Sequence, residues 1–477
     1  MTNPNLTAAE TDSFVSWREF LTSSYVPALV LVCLAVWLHA ADSLIVATML
    51  PSVVEEVGGA ALVGWAVALY EIGSIVAGAA SALLTLRYGL RLPMSLAAAL
   101  FGIGCLLSAI SPTMPLVLCG RALQGLGGGG LVGMGFVAVG ALFPARYMAR
   151  ALAAVSALWG VSAFLGPLIG GLFVEYATWR WGFAFFGAQA FVLALWIARR
   201  PDEESAALSG ETPSLPIRRL ALLCLAVVLI AAAGIRIDPL RTGGLVLGGL
   251  LCLFLFLRLD GRAGAGRLLP ARPFDARHST GAALLMILSL SIATIAITAF
   301  GPLLVTTIHA ASALTAGYIV ACSSIGWTVA AVLVSGSPER FDRHLIAAGM
   351  SLVTLSILGF LYAVPAGPIW LIAVCAGVEG AGFGLSWTFI LRRTTALADA
   401  GEVQRISGAI PTVQRLGYAL GAAYVGIVAN ASGLLTMTGP AEAGAVARWI
   451  FAACLPFAAL GLVAMIGLVR RQGGEGA

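Results

Sequence analysis

Long apolar runs recur along this 477-residue chain and leave it few choices of fold. They occupy residues 27–50, 60–84, 92–111, 114–142, 150–175 and 181–198, then 219–235 and 242–257, then 279–306, 313–336, 344–364, 367–391, 407–430 and 446–469. A helix needs about 20 predominantly apolar residues to cross a bilayer, and only internally bonded backbone is tolerated in hydrocarbon. Fourteen runs of this kind predict an all-α polytopic membrane protein. Composition agrees: 60% of the residues are hydrophobic and 10% charged, against about 25% charged in soluble domains.

The runs form a set of six, a pair, and a second set of six. A polar linker rich in Pro, Ser and acids (199–219) and an arginine-rich one (258–278) flank the pair. The expected organisation is therefore an N-terminal segment at 1–26, a six-helix bundle at 27–198, linkers with two inserted helices at 199–278, a second six-helix bundle at 279–470 and a tail at 471–477. Phe14, Trp17, Leu21 and Tyr25 share one helical stripe, so residues 13–25 either lie in the membrane interface or form a frayed tail. No basic n-region or A-x-A site precedes the first run, which is expected to stay as a signal anchor.

All 27 basic residues are arginine. With the N-terminus inside, twenty-one of them fall on the cytoplasmic side and only Arg180, Arg236, Arg241 and Arg448 outside. This asymmetry predicts an even number of spans with both termini cytoplasmic. It also explains pI 8.9 as topology, with no nucleic-acid partner implied. The eight cysteines are scattered through apolar segments without C-x-x-C, so neither a disulfide framework nor a metal site is expected. No cofactor is expected either: Gly125, Gly127 and Gly130 spell G-x-G-x-x-G, but nothing before them resembles a strand opening a βαβ unit.

Five charged residues sit well inside the runs: Asp42, Glu71, Arg121, Glu379 and Arg415. A charge at the bilayer centre costs about 2.5 to 3.5 kcal/mol on insertion scales, so such residues face partners or a water-filled path. At 1.5 Å per residue, Asp42 lies about 12 Å and Arg121 about 11 Å from the outer ends of their helices, level enough to pair. Glu71 lies about 16 Å and Glu379 about 18 Å down, and Arg415 about 12 Å from the inner end. Three negatives against two positives favour a proton or a cationic substrate. Desolvation disfavours a carboxylate and a guanidinium favours it, so a carboxyl balanced between the two can change protonation as water access alternates. Asp42 with Arg121 is either such a site or a static pair that fixes packing, and Arg415 either has a partner or snorkels. His39, one turn before Asp42, is expected to be a satisfied core residue.

Gln124-Gly-Leu-Gly-Gly-Gly129 in the fourth run has a counterpart in Glu379-Gly-Ala-Gly-Phe-Gly384, in the fourth run of the last six. The basic loop with Arg87 and Arg91 likewise recurs at Arg340 and Arg343. Two related halves with a site between them are expected, facing each other through Gln124 and Glu379. Glycines 127 to 130 indicate close helix packing, and the fifth run combines small residues with a proline, a helix able to pack tightly and bend. Trp179-Arg180-Trp181 falls at the outer interface and is read as an aromatic anchor.

These residues resemble the major facilitator superfamily, and within it the fourteen-spanner drug:proton antiporters. The stretch Asp42-Ser-Leu-Ile-Val-Ala-Thr-Met-Leu-Pro51 is similar to D-x-T-I-V-x-x-x-L-P, and Arg121 with Gly125 resembles R-x-x-x-G. Ser162, Gly166, Pro167, Gly170 and Gly171 follow the antiporter motif G-x-x-x-G-P-x-x-G-G. The loop motif G-x-x-x-D-R-x-G-R-R is kept at Arg87, Gly89 and Arg91, with Leu86 in place of the acidic residue. The resemblance implies two six-helix bundles around a central cavity, alternating access, and export driven by inward proton flow. Asp42 and Arg121 would hold coupling and substrate-path roles, whereas Glu71 and Glu379 stand where uncharged residues are expected.

The expected function is proton-coupled efflux of amphipathic, cationic or neutral compounds across a bacterial-type cytoplasmic membrane. The alternative is a dedicated exporter of one metabolite, antibiotic or lipid. Asp42, Glu71, Arg121, Gln124, Glu379 and Arg415 are the expected proton and substrate path, and Arg87, Gly89 and Arg91 the gating loop. The partners are a small-molecule substrate, protons and the lipid bilayer, with a monomer expected. No nucleophile and base or metal-ligand set suggests an enzyme.

Overall fold

A computed structural model describes residues 17–200, 216–335, 337–397 and 402–470. Phe14, most of the first polar linker and the tail at 471–477 lie outside these. Of the expected interfacial segment, Trp17–Leu21 forms a short helix, α1. The first set of runs folds as α2 (Val26–Val57), α3 (Val63–Tyr88), α4 (Arg91–Ala109), α5 (Met114–Leu142), α6 (Ala145–Tyr176) and α7 (Trp179–Ala198). The pair gives α8 (Ile217–Ala233) and α9 (Pro239–Gly261). The last set gives α10 (Ser279–His309), α11 (Ala313–Leu333), α12 (Asp342–Ala366), α13 (Ile369–Ala396), α14 (Val403–Ala431) and α15 (Pro440–Val469).

Helix boundaries follow local chemistry. Gly58 and Gly59, at φ 71° and 83°, make the turn after α2, and Gly89 at φ 73° ends α3; a left-handed backbone costs glycine nothing extra. Prolines open α5, α9 and α15, where a missing N–H is harmless. Among the described residues, twelve helices are long and apolar enough to cross a membrane. The fourteen expected spans thus reduce to twelve on that measure. The two that fall short are α8, with 17 residues, and α14, in which Gln414, Arg415 and Asn430 interrupt the apolar sequence.

The two sets of six repeat one another's packing. In the first, α3 packs on α5, α4 on α5 and α7, and α2 on α6; in the second, α11 packs on α13, α12 on α13 and α15, and α10 on α14. The matched glycine segments lie at equivalent joints. A Cβ on Gly125 or Gly129 would collide with the backbone of Tyr70 or Ser74 on α3, and one on Gly380 or Gly384 with that of Ser323 or Trp327 on α11. Backbones that close leave room for hydrogen only.

Two seams join the halves, α3 against α14 and α6 against α11, while α8 lies over the first seam and touches both its helices. The helix ends with the arginine loops define one face of the molecule. Contacts across the seams lie between mid-height and the other face. Asn430 Nδ2 bonds Ala61 O at 3.0 Å and Gly234 O at 2.8 Å. A Cβ on Gly64 would come within 2.6 Å of Ala422 O, and one on Gly171 within 2.7 Å of Leu314. Toward the arginine-rich face a Cβ on Gly78 or Gly408 would meet nothing within 4 Å, and Val332 and Leu333 are exposed.

Candidate functional site: an ion-pair network at mid-height

Asp42, Arg121 and Gln124 form one cluster inside the first half. Asp42 comes from α2, Arg121 and Gln124 from successive turns of α5, and all three are buried. Arg121 Nη1 contacts Asp42 Oδ2 and Gln124 Oε1, each at 2.5 Å, and Nε donates to Ala66 O at 3.3 Å. Its guanidinium lies 4.3 Å from the centre of the Tyr70 ring, a cation–π geometry. The matching depth expected for Asp42 and Arg121 is thus realised as an ion pair. Gln124 is different: its Nε2 donates to Ser108 Oγ at 3.2 Å, so it turns into α4 and not across to the second half. The expected confrontation of Gln124 with Glu379 fails because Arg121, one turn away, claims the amide oxygen.

A second ion pair crosses between the halves. Arg415 of α14 reaches Glu71 of α3, with Nη1 3.2 Å from Oε2. Arg415 Nη2 also lies 2.9 Å from His39 Nε2. The other ring nitrogen of His39, Nδ1, is 2.8 Å from the Tyr70 hydroxyl. Arg415 therefore does not snorkel. The two pairs differ in access: the side chains of Arg121 and Asp42 are 3% and 1% exposed, those of Arg415 and Glu71 23% and 13%. Sequence reasoning missed His39 and Tyr70 as the links between them. The available signal was spacing, since His39 lies one turn from Asp42 and Tyr70 adjoins Glu71.

Glu379 stands apart. It is 3% exposed, and its Oε2 has no hydrogen-bond partner. On its own helix follow Phe383 and Trp387, whose rings lie 5.5 and 5.6 Å from that of Trp327. The structure does not bring Glu379 into the network of the other four intramembrane charges.

The small residues of α6 serve the neighbourhood of Asp42. A Cβ on Gly166 or Gly170 would lie 3.0 Å from Leu44 or Ile45 of α2, and Gly171 faces Leu314 across the seam. Pro167 meets the face of Gly317 on α11, and Ser162 Oγ is buried with no hydrogen-bond partner. Of the loop residues, Arg91 donates to Arg200 O at 2.9 Å, Arg87 lies over the Tyr88 ring, and Gly89 makes the turn. Leu86 is 40% exposed. The corresponding end of the second half carries an acid: Asp342, at the start of α12, pairs with Arg392 near the end of α13, with Nε at 3.1 Å. Trp179-Arg180-Trp181 is more than an anchor. Only Trp181 is exposed, while Trp179 Nε1 donates to Glu56 Oε2 at 2.6 Å and Arg180 pairs with Glu56 Oε1 at 2.9 Å, clasping α7 to the end of α2.

Known proteins share this architecture. A protein of Mycobacterium tuberculosis described as a probable multidrug-efflux transporter is 30% identical over 98% of both chains. The efflux pump dotC of Dothistroma septosporum is 28% identical over 71% of this chain and 60% of its own. Among solved structures, a D-xylose-proton symporter covers 93% of this chain and 97% of its own at TM-score 0.63 and 16% identity. A bacterial homologue of the human lysosomal transporter Spinster, in an inward-facing conformation, covers 94% and 97% at TM-score 0.64 and 15% identity. At such identities the structural likeness speaks for the fold alone. Residues 32–422 match the Major Facilitator Superfamily, and the chain belongs to that family of multi-pass membrane transporters, not to the enzymes.

Proposed function

We propose that this protein is a fourteen-span, proton-coupled exporter of amphipathic cationic or neutral compounds, working by alternating access as an antiporter. Its arginine-rich face and both termini would lie in the cytoplasm, with bundles at 27–198 and 279–470 and the α8–α9 hairpin as the extra pair. The likeness to a probable multidrug-efflux transporter along the full chain supports export as the direction of transport. In this reading α8 and α14 cross the membrane because neighbouring helices cover their less apolar faces.

The observation that carries the reading is the ion pair between Glu71 and Arg415, which spans the two halves and is partly open to the space between them. A carboxylate in that position accepts either a proton or a substrate cation, and each frees Arg415. Asp42 with Arg121 is the more enclosed coupling pair, Gln124 steadies Arg121, and Glu379 supplies a second, unpartnered carboxyl in the other half. The Arg87–Gly89–Arg91 loop would gate the cytoplasmic side, and the α6 motif would be the surface on which the halves rock. At 100 mV each charge moved contributes about 2.3 kcal/mol to export.

The test is transport in proteoliposomes under an imposed proton gradient, with a panel of cationic dyes, neutral drugs and lipids. Broad, gradient-dependent flux that falls in both Asp42→Asn and Glu71→Gln is expected. Flux in both variants equal to that of the unaltered protein removes the proposed path. A single transported compound selects instead a dedicated exporter of one metabolite, antibiotic or lipid.

A further inference from the structure

Resting on the reading above, we propose that His39 is the residue at which a proton and Arg415 exclude one another, so that contact between the halves and proton occupancy become alternatives. Arginine has donors and no acceptor. His39 Nε2, 2.9 Å from Arg415 Nη2, must therefore present its lone pair to the guanidinium. The ring hydrogen is left on Nδ1, where it is donated to the Tyr70 oxygen at 2.8 Å. Tyr70 in turn directs its own hydrogen to the His39 carbonyl oxygen at 3.3 Å. Each link fixes the next, and the tautomer follows without a choice.

A proton bound at Nε2 would convert His39 into a cation with two donors, aimed at another cation that has only donors. One lone pair cannot serve both. Arg415 is the member of this cluster that belongs to the second half, so its departure is also the parting of α14 from α2 and α3. The groups that face His39 are Tyr70 and Glu71 on α3, Arg121 on α5 and Arg415 on α14, with Asp42 one turn along α2. From α6 comes the edge of Trp159, its ring 6.0 Å away.

The resulting cycle balances one proton. With the halves closed at the face away from the arginine loops, Arg415 is docked and His39 is neutral. When they part there, Arg415 withdraws, and Nε2 takes a proton from water on that side. On return Arg415 docks again, the Nε2–H bond breaks, and the proton leaves to water on the arginine-rich side. His39 is thus a positioning and proton-carrying residue, with Tyr70 holding its ring in register with the Asp42–Arg121 pair.

The experiment measures the separation of the halves directly. In a background without the eight native cysteines, spin labels at Leu86→Cys on α3 and Leu333→Cys on α11, both exposed, report opening of the arginine-rich face for the full-length protein in nanodiscs, without drug. A long distance at neutral pH that shortens on acidification is expected. His39→Gln, whose amide oxygen still accepts from Arg415 but takes no proton, should keep the long distance and lose the acid response. Arg415→Gln should give the short distance already at neutral pH. An acid response unchanged in His39→Gln, or a long distance retained in Arg415→Gln, overturns the proposal. Dye efflux separates the two readings: efflux that is not proton-driven while the distances still respond defeats the export mechanism and leaves the His39 exchange standing.

Discussion

The two halves share a packing plan and use it differently. In the first, Asp42, Arg121, His39, Tyr70 and Glu71 form one chain of contacts that ends on Arg415 of the second. In the second, Glu379 occupies the matching turn of the repeat with an unpartnered oxygen, and the Trp327, Phe383 and Trp387 rings cluster further along the same helix pair. At the loops the asymmetry is reversed: the second half pairs Asp342 with Arg392, where the first has an exposed Leu86. One fold repeated twice has thus concentrated its linked charges in one copy and its loop ion pair in the other. The difference teaches that fold symmetry sets where a charged group can stand, while the neighbouring side chains decide whether it is held or left available.

Substitutions can break this contrast, and the expected effects fall in order. Asp42→Asn leaves Arg121 buried and uncompensated, and should cost about 3–5 kcal/mol of stability; thermal unfolding in detergent measures it. Arg121→Gln should cost less, with the deficit shrinking in acid, because the abandoned Asp42 can take up a proton and the abandoned arginine cannot lose one. Equal costs for the two, independent of pH, would mean that burial of an uncompensated charge is not what sets the cost of breaking the pair.

Gly125→Val comes next, since a side chain there meets the Tyr70 backbone. A loss of about 1–3 kcal/mol is expected from overpacking, and Gly380→Val should match it in the second half if the glycine joints are equivalent. Glu71→Gln, which leaves Arg415 its contact with His39 and part of its exposure, should cost less than Asp42→Asn yet strongly reduce proton-driven efflux, a split read by comparing melting temperature with flux. Smallest in stability is Glu379→Gln, which removes no ion pair. Its expected signature is a selective fall in the efflux of cationic dyes with neutral compounds spared, and an equal fall for both classes would deny Glu379 a part in substrate choice.

Much of this was legible in the sequence. Hydrophobic length located the fourteen long helices of the described residues, twelve of them long and apolar enough to cross a membrane, because a bilayer leaves a chain no cheaper way to satisfy its backbone. Depth counting found the Asp42–Arg121 pair, since both residues lie on uninterrupted helices of known rise. What stayed hidden depended on side-chain direction. Gln124 occupies the turn matched by Glu379, yet its amide follows the nearest donors, Arg121 and Ser108, into its own half. His39 looked like a core residue until α14 brought Arg415 to its free nitrogen, and no periodicity within α2 encodes the approach of a helix some 370 residues away. The clasp of Trp179 and Arg180 on Glu56 was masked in the same way, by a partner on a distant helix end.

The glycine joints have a mechanical consequence. Where α3 and α5 touch backbone to backbone at Gly73, Gly125 and Gly129, there is no cushion of side chains to compress, so the two helices turn like keyed parts on one shaft. Tyr70 and Arg121 are carried on either side of that joint, with the guanidinium 4.3 Å from the centre of the ring. One run of static contacts thus links Arg415 to Asp42 through His39, Tyr70 and Arg121 across the two helices of that joint.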